Sequence, residues 1–137
     1  MLEDVITNPE EMGIMVETAV YKHIAAFYYT SNAQVGYYRR VKENEKEVDV
    51  VVVELPFGRL LCEVKYRENT HVKETDAIIE LTNDEKLKVQ GSLIITKRAE
   101  DYGVTSHNTR IPVMRIPAPA FLYLLGNAEK EGYTAKM

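Results

Sequence analysis

The chain has 137 residues, 45% of them hydrophobic, which is enough to bury one core and too few for two ordinary domains. Its formal net charge of −4 and sequence pI near 5.4 exclude a globally basic nucleic-acid-binding domain, so any nucleic-acid contact has to come from a local patch. A single cysteine, Cys62, excludes an internal disulfide. With no basic leader ahead of an apolar core and no apolar stretch of bilayer length, this predicts a soluble, unexported, cytoplasmic protein.

The first element reads from Asn8-Pro9-Glu10-Glu11, with Asn8 as N-cap, proline at the first helical position and acids facing the positive end of the dipole. The spacing of Val16, Ala19, Val20, Ile24, Phe27 and Tyr28 predicts a helix to about residue 29, with Glu17 at the edge of its apolar stripe. Residues 35–41 are aromatic and β-branched and predict a first strand, and the charged cluster 42–46 supplies a turn. Residues 47–54 contain Val50 to Val53 without a break, as expected of a central strand covered on both faces.

Leu55-Pro56-Phe57-Gly58 is a turn, and 59–66 resumes strand character, so the two runs predict an antiparallel hairpin. Further along, 75–87 reads as a helix with Ala77, Ile78 and Leu81 inward and Gly91 marking its end, and 92–96 as a short apolar strand reached by a crossover. Residues 102–110 read as polar loop, 111–116 as a last strand, and Pro117-Ala118-Pro119 as the lead into a helix at 120–125. The order α-β-β-β-α-β-β-α, without repeats or an internal linker, predicts one α/β layer domain over 1–126 and a polar tail over 127–137.

The chemistry centres on the hairpin. Glu63 and Lys65 alternate with Val64 and so share one face, while Asp49 lies on the partner strand. An odd hairpin loop brings Asp49 opposite Glu63; an even loop without a bulge puts it opposite Val64 on the other face. If the carboxylates converge, a hard divalent ion offsets their repulsion. Oxygen ligands without cysteine or histidine favour Mg²⁺ or Mn²⁺, and the Val64 carbonyl and water would complete the shell.

Lys65 then faces whatever the ion holds, and Glu17 would add a ligand or hold a metal-bound water. That set suits phosphodiester hydrolysis, in which the metal polarises phosphate and activates water. The bland alternative is a solvent-facing Glu63–Lys65 pair and a surface Glu17. Arg39, Arg40, Lys97 and Arg98 are candidates for phosphate contact. His23, His71 and His107 lack zinc-like spacing with each other or with Cys62, and Tyr37-Tyr38 would flank a sheet edge or stack on bases.

Glu17 in an early helix, Asp49 in Glu47-Val48-Asp49-Val50-Val51, and Glu63-Val64-Lys65-Tyr66 resemble the core layout of the PD-(D/E)xK nuclease superfamily. Tyr37-Tyr38-Arg39 followed by these Glu47-to-Val51 and Glu63-to-Tyr66 strands, with residues 92–102 and Ile116-Pro117-Ala118-Pro119 before Phe121-Leu122-Tyr123-Leu124-Leu125, resembles, more narrowly, the nuclease-like domain at the carboxy terminus of many prokaryotic AAA-type ATPases. The likeness spans roughly 13–126, and its specific part is the hairpin. It departs in carrying Val48 rather than proline before Asp49, and no G-x-x-x-x-G-K-[ST] phosphate loop is present, so the chain reads as an excised domain or one that stands alone.

The resemblance implies a restriction-endonuclease-like three-layer core, a mixed central sheet with helices on both sides. It implies a Mg²⁺-dependent nuclease acting on nucleic acid, DNA ahead of RNA, with Asp49, Glu63, Lys65 and Glu17 catalytic and Asp49, Glu63, Glu17 and the Val64 carbonyl on the metal. The other readings are a module of the same fold that binds DNA or a protein beside an ATPase without cleaving, and an α/β domain with a chance motif.

Overall fold

The computed structural model describes residues 9–28, 33–40, 48–66, 72, 76–105 and 107–130. Helix α1 (Pro9–Phe27) opens the described chain, and strands β1 (Gln34–Arg40), β2 (Val48–Leu55) and β3 (Gly58–Lys65) follow. Helix α2 (Ala77–Asn83) and a 3-10 turn (Glu85–Leu87) lead to β4 (Val89–Thr96), β5 (Gly103–Val104), β6 (Val113–Pro117) and helix α3 (Ala118–Lys130). The six strands form one sheet in the order β1-β2-β3-β4-β6-β5. β1, β2 and β3 run antiparallel in turn, β3, β4 and β6 are parallel, and β5 closes the far edge antiparallel to β6.

The sheet has a helical layer on each face. Val20 and Ile24 of α1 and Ala118 of α3 pack with Val51, Val53, Cys62 and Ile95 on one side. Ala77, Ile78 and Ile79 of α2 pack with Val50, Leu61, Val89, Ile94 and Val113 on the other. The unbroken valines of β2 are explained by this arrangement: successive side chains enter different cores, so neither parity tolerates a polar residue at the centre. The expected three-layer α/β architecture with a mixed sheet is what the chain adopts.

Several boundaries move for identifiable reasons. The helix expected over 75–87 stops at Asn83. Lys88, in the left-handed region at φ 52° and ψ 50°, ends the 3-10 turn that follows. Gly91 is not a helix stop but a residue of β4, where the β3–β4 register shifts between Arg59 and Leu60. A Cβ at Gly91 would lie 3.1 Å from Leu60 Cδ2, a tight contact across the β3–β4 pair.

The loop expected over 102–110 contains the two-residue β5, too short to leave a pattern. Helix α3 runs to Lys130, past the boundary drawn at 126. Asn8 and the turn at 42–46 lie outside the described residues.

The hairpin turn is tight. Leu55 pairs with Gly58, leaving Pro56 and Phe57 as a two-residue loop. Gly58 is held close to the 3-10 turn, where an added Cβ would stand 2.3 Å from the Lys88 carbonyl oxygen. Arg59 fastens the same corner: its backbone N–H donates to Lys88 O at 3.1 Å and its guanidinium to Leu87 O at 2.8 Å.

Candidate functional site

An even, two-residue loop decides the register on which the sequence reading of Asp49 depended. Val50, not Asp49, stands opposite Glu63, while Asp49 pairs with Arg39 on β1. Asp49 is therefore in phase with Val51 and Val53, one position out of step with Glu63. Glu17 lies on α1, the helix whose Val20 and Ile24 cover the Val51–Val53–Cys62 face. Glu63 and Lys65 are in phase with Leu61, on the α2 face. Glu17 is thus carried by the helix of one face while Glu63 and Lys65 project to the other, and the convergence of Asp49 with Glu63 that an odd loop requires is not the register found.

A different acid joins the pair. Lys65 Nζ lies 3.1 Å from Glu63 Oε2 and 3.1 Å from Asp76 Oδ2, and Asp76 is the N-cap residue of α2. The Asp76 carbonyl accepts the first helical N–H groups, from Ile79 at 3.0 Å and Glu80 at 3.1 Å, and its carboxylate reaches Lys65 instead of capping. The Glu63 and Lys65 side chains are only 6% and 7% exposed, so the bland solvent-facing reading fails for both. Asp76 is 20% exposed and forms the outward side of the cluster.

The sequence signal for Asp76 was legible only as a helix cap, an aspartate directly before Ala77-Ile78-Ile79. Nothing local joins it to a lysine eleven residues earlier. The parallel crossover does so, by returning the chain over β3 and starting α2 beside the carboxyl end of that strand. Lys65 pairs with Thr96 of β4, whose hydroxyl donates to Asp101 O at 2.7 Å, so the cluster sits where β3 and β4 both end. The edge outside the carboxyl ends of parallel strands is where open α/β sheets place ligands.

A divalent ion between Glu63 and Asp76 would need the position that the Lys65 ammonium takes. Among the described residues no three His, Cys, Asp or Glu side chains gather as a ligand set. Val64, whose carbonyl was expected to complete the shell, stands in the β3–β4 ladder paired with Ile95. The donor set at this cluster is thus two carboxylates already neutralised in part by a buried cation, which does not fit a metal unless Lys65 leaves.

The remaining candidates have partners within the chain. Arg39 lies over the Tyr37 ring at 5.6 Å and Lys97 over the Tyr66 ring at 5.7 Å, while Arg98 pairs with Glu100. Tyr37 stacks on Tyr21 with centroids 4.5 Å apart, and Tyr38 is 41% exposed. His23 bonds Ala19 O and His107 bonds Val72 O; His71 and the Arg40 side chain lie outside the described residues. Burial, with the neighbouring Glu63 charge, pushes the Cys62 thiol up to about 12, which keeps it protonated and inert as a nucleophile.

Fold and cluster together define a three-layer α/β domain with a mixed six-stranded sheet and a buried Glu–Lys–Asp group at the carboxyl end of its central strands. The chain belongs to the domain family DUF4143, a domain of unknown function, whose profile matches residues 12–116. That span holds Glu17, Asp49, Glu63, Lys65 and Asp76 together with all six strands up to Ile116. No curated protein and no solved structure matches the chain. No helix among the described residues is long and apolar enough to cross a membrane.

Proposed function

We propose that this domain binds nucleic acid without cleaving it, as a nuclease-like module working beside an AAA-type ATPase. The observation that carries the non-cleaving part of the reading is Lys65, buried and held at 3.1 Å from both Glu63 and Asp76; the nucleic-acid part rests on the resemblance of the hairpin to the nuclease superfamily. A catalytic lysine and metal-bound carboxylates must meet a phosphate from solvent; here they satisfy one another beneath the surface. The register that sets Val50 opposite Glu63 points the same way. The ATPase association rests on the resemblance of the Glu47-to-Val51 and Glu63-to-Tyr66 strands to domains at the carboxy terminus of such proteins.

A second reading, metal-dependent phosphodiester hydrolysis, is favoured by one specific feature. Two carboxylates and a lysine gather at the carboxyl end of parallel strands, the edge where α/β folds place ligands. The two readings separate in a cleavage panel on single- and double-stranded DNA and RNA with Mg²⁺ or Mn²⁺, run beside Asp49→Ala, Glu63→Ala and Lys65→Ala. The expected result is salt-dependent binding with no turnover. Metal-dependent turnover abolished by Glu63→Ala and Lys65→Ala overturns the non-cleaving reading, and no binding at low salt removes nucleic acid as the partner.

A further inference from the structure

Among the described residues the α2 face of the sheet is only partly covered. Helix α2 packs over β3 and β4, and beyond it the β1 and β2 end of the same face opens into a cleft of about 580 Å³. The register builds its floor as a row across three strands, Gly36 opposite Val52 and Val52 opposite Leu61. Leu81 and Leu87 form the wall where α2 and the 3-10 turn stand above the sheet.

The neighbouring rows give the cleft its two flanks. On one side Gln34 pairs with Glu54 and Glu54 with Arg59, so an amide, a carboxylate and a guanidinium line up along the rim. On the other side Tyr38 pairs with Val50, which puts an exposed phenol ring beside the floor. Tyr37, the next residue, goes to the opposite face and stacks on Tyr21, so of this tyrosine pair Tyr38 flanks the floor row.

Gly36 is the informative residue. A Cβ built there meets nothing within 4 Å, so the glycine is not required by packing inside the domain. Glycine in a strand interior costs stability and often marks a bulge, a bend or a place that a ligand or another backbone approaches closely; β1 pairs with β2 in unbroken register through Gly36, which sets a bulge aside. A bare backbone beside Val52 and Leu61 offers a flat apolar surface, and the rim beside it offers both hydrogen-bond donors and acceptors.

We infer that this cleft is a nucleobase-binding site: a planar heteroaromatic ring lies over Gly36 and Val52, stacks against Tyr38, and presents its polar edge to Gln34, Glu54 and Arg59. The volume is in the range of small-ligand pockets, and an apolar floor with a few convergent polar groups is their usual construction. Base stacking on an aromatic side chain tolerates an acidic protein, because its attraction does not depend on phosphate charge. The site lies on a different part of the sheet from the Lys65 cluster, so it stands whether or not that cluster cleaves anything.

The test titrates the full chain with adenosine, guanosine and cytidine and with a short oligodeoxyadenylate. Amide NMR shifts report on β1, and tyrosine fluorescence, compared between wild type and Tyr38→Ala, reports on Tyr38. Saturable binding is expected, with Gly36→Leu weakening it about tenfold or more while thermal stability is kept, since the new side chain fills the open slot.

Tyr38→Ala and Gln34→Ala should each weaken binding too, and they carry the test if Gly36→Leu does not fold. Binding of mononucleosides identifies a free nucleoside or nucleotide as the source; binding of the oligonucleotide alone, still blocked by Gly36→Leu, identifies a base splayed from a strand. Either supports the site. Unsaturable signals with every probe, wild-type affinity in Gly36→Leu, or equal competition by N-acetyltryptophanamide overturns it.

Discussion

At the scale of single residues, Lys65 decides how the centre of the molecule is to be understood. A lysine side chain that is 7% exposed is tolerated because two carboxylates lie at 3.1 Å from its ammonium, and the burial of Glu63 is tolerated because of that ammonium. Removing one member strands the charges of the others. Lys65→Met is therefore expected to destabilise the fold by about 3 kcal/mol or more in urea denaturation. The double variant Glu63→Gln with Lys65→Met should recover part of that loss, because fewer unpaired charges stay buried. A Lys65→Met loss below about 0.5 kcal/mol would mean that water reaches the cluster and the pairing is incidental.

Alternation along β3 was enough to put Glu63 and Lys65 on one face, since that depends only on the pleat. Their burial was not legible, because it depends on α2 folding back over the strand. Asp49 shows the reverse limit. Its candidacy rested on the hairpin loop having odd length, and the two-residue Pro56-Phe57 turn gives the other parity.

At the scale of elements, the hairpin corner and the 3-10 turn lock together through backbone atoms, and two substitutions there should act in opposite directions. Gly58→Ala drives a Cβ to 2.3 Å from Lys88 O, a distance that neither backbone accommodates without moving. A loss of about 2 kcal/mol or more is expected, with the Arg59 N–H to Lys88 O bond weakened.

Lys88 occupies the left-handed region at φ 52°, where a side chain is strained and glycine is not. Lys88→Gly is expected to be neutral or stabilising by about 0.5 kcal/mol, the relief of strain being offset in part by the greater freedom of the unfolded chain. Thermal melts of the two variants check both. A Gly58→Ala protein as stable as wild type would show that the corner is looser than its distances imply.

Element types were readable wherever hydrophobic period and length agreed, as in α1 and the three strands that follow it. Gly91 lies in β4 and not at the stop of the second helix, because glycine, a common helix terminator, also admits close strands. Which use applies depends on Leu60 of a different strand.

At the scale of the molecule, β2, β3 and β4 are each flanked on both edges and contribute to both cores, whereas β1 and the two-residue β5 end the strand order. Local opening should follow that order. Amide hydrogen exchange is expected to be slowest at Val51, Val53, Leu61, Cys62, Ile94 and Ile95, approaching global unfolding there, and faster by orders of magnitude in β5. Equal protection in β5 and β3 would contradict a core centred on the middle strands. The same layering accounts for the open end of the α2 face: a seven-residue helix cannot roof six strands, and the part that the described residues leave bare is the Gly36 cleft.

By itself the sequence determined the layered α/β class, the hairpin, the crossover and the shared face of Glu63 and Lys65. Each of these follows from periods of 2 and 3.6 residues and from turn chemistry, which are properties of short segments. The tertiary structure alone decided that Val50 and not Asp49 faces Glu63, that Asp76 joins Lys65, that the helix bearing Glu17 packs on the face opposite α2, and that Gly36 floors a cleft. Those facts depend on turn parity, on strand order and on how far one short helix reaches across the sheet. They are relations between segments distant in the chain, and no local pattern encodes them.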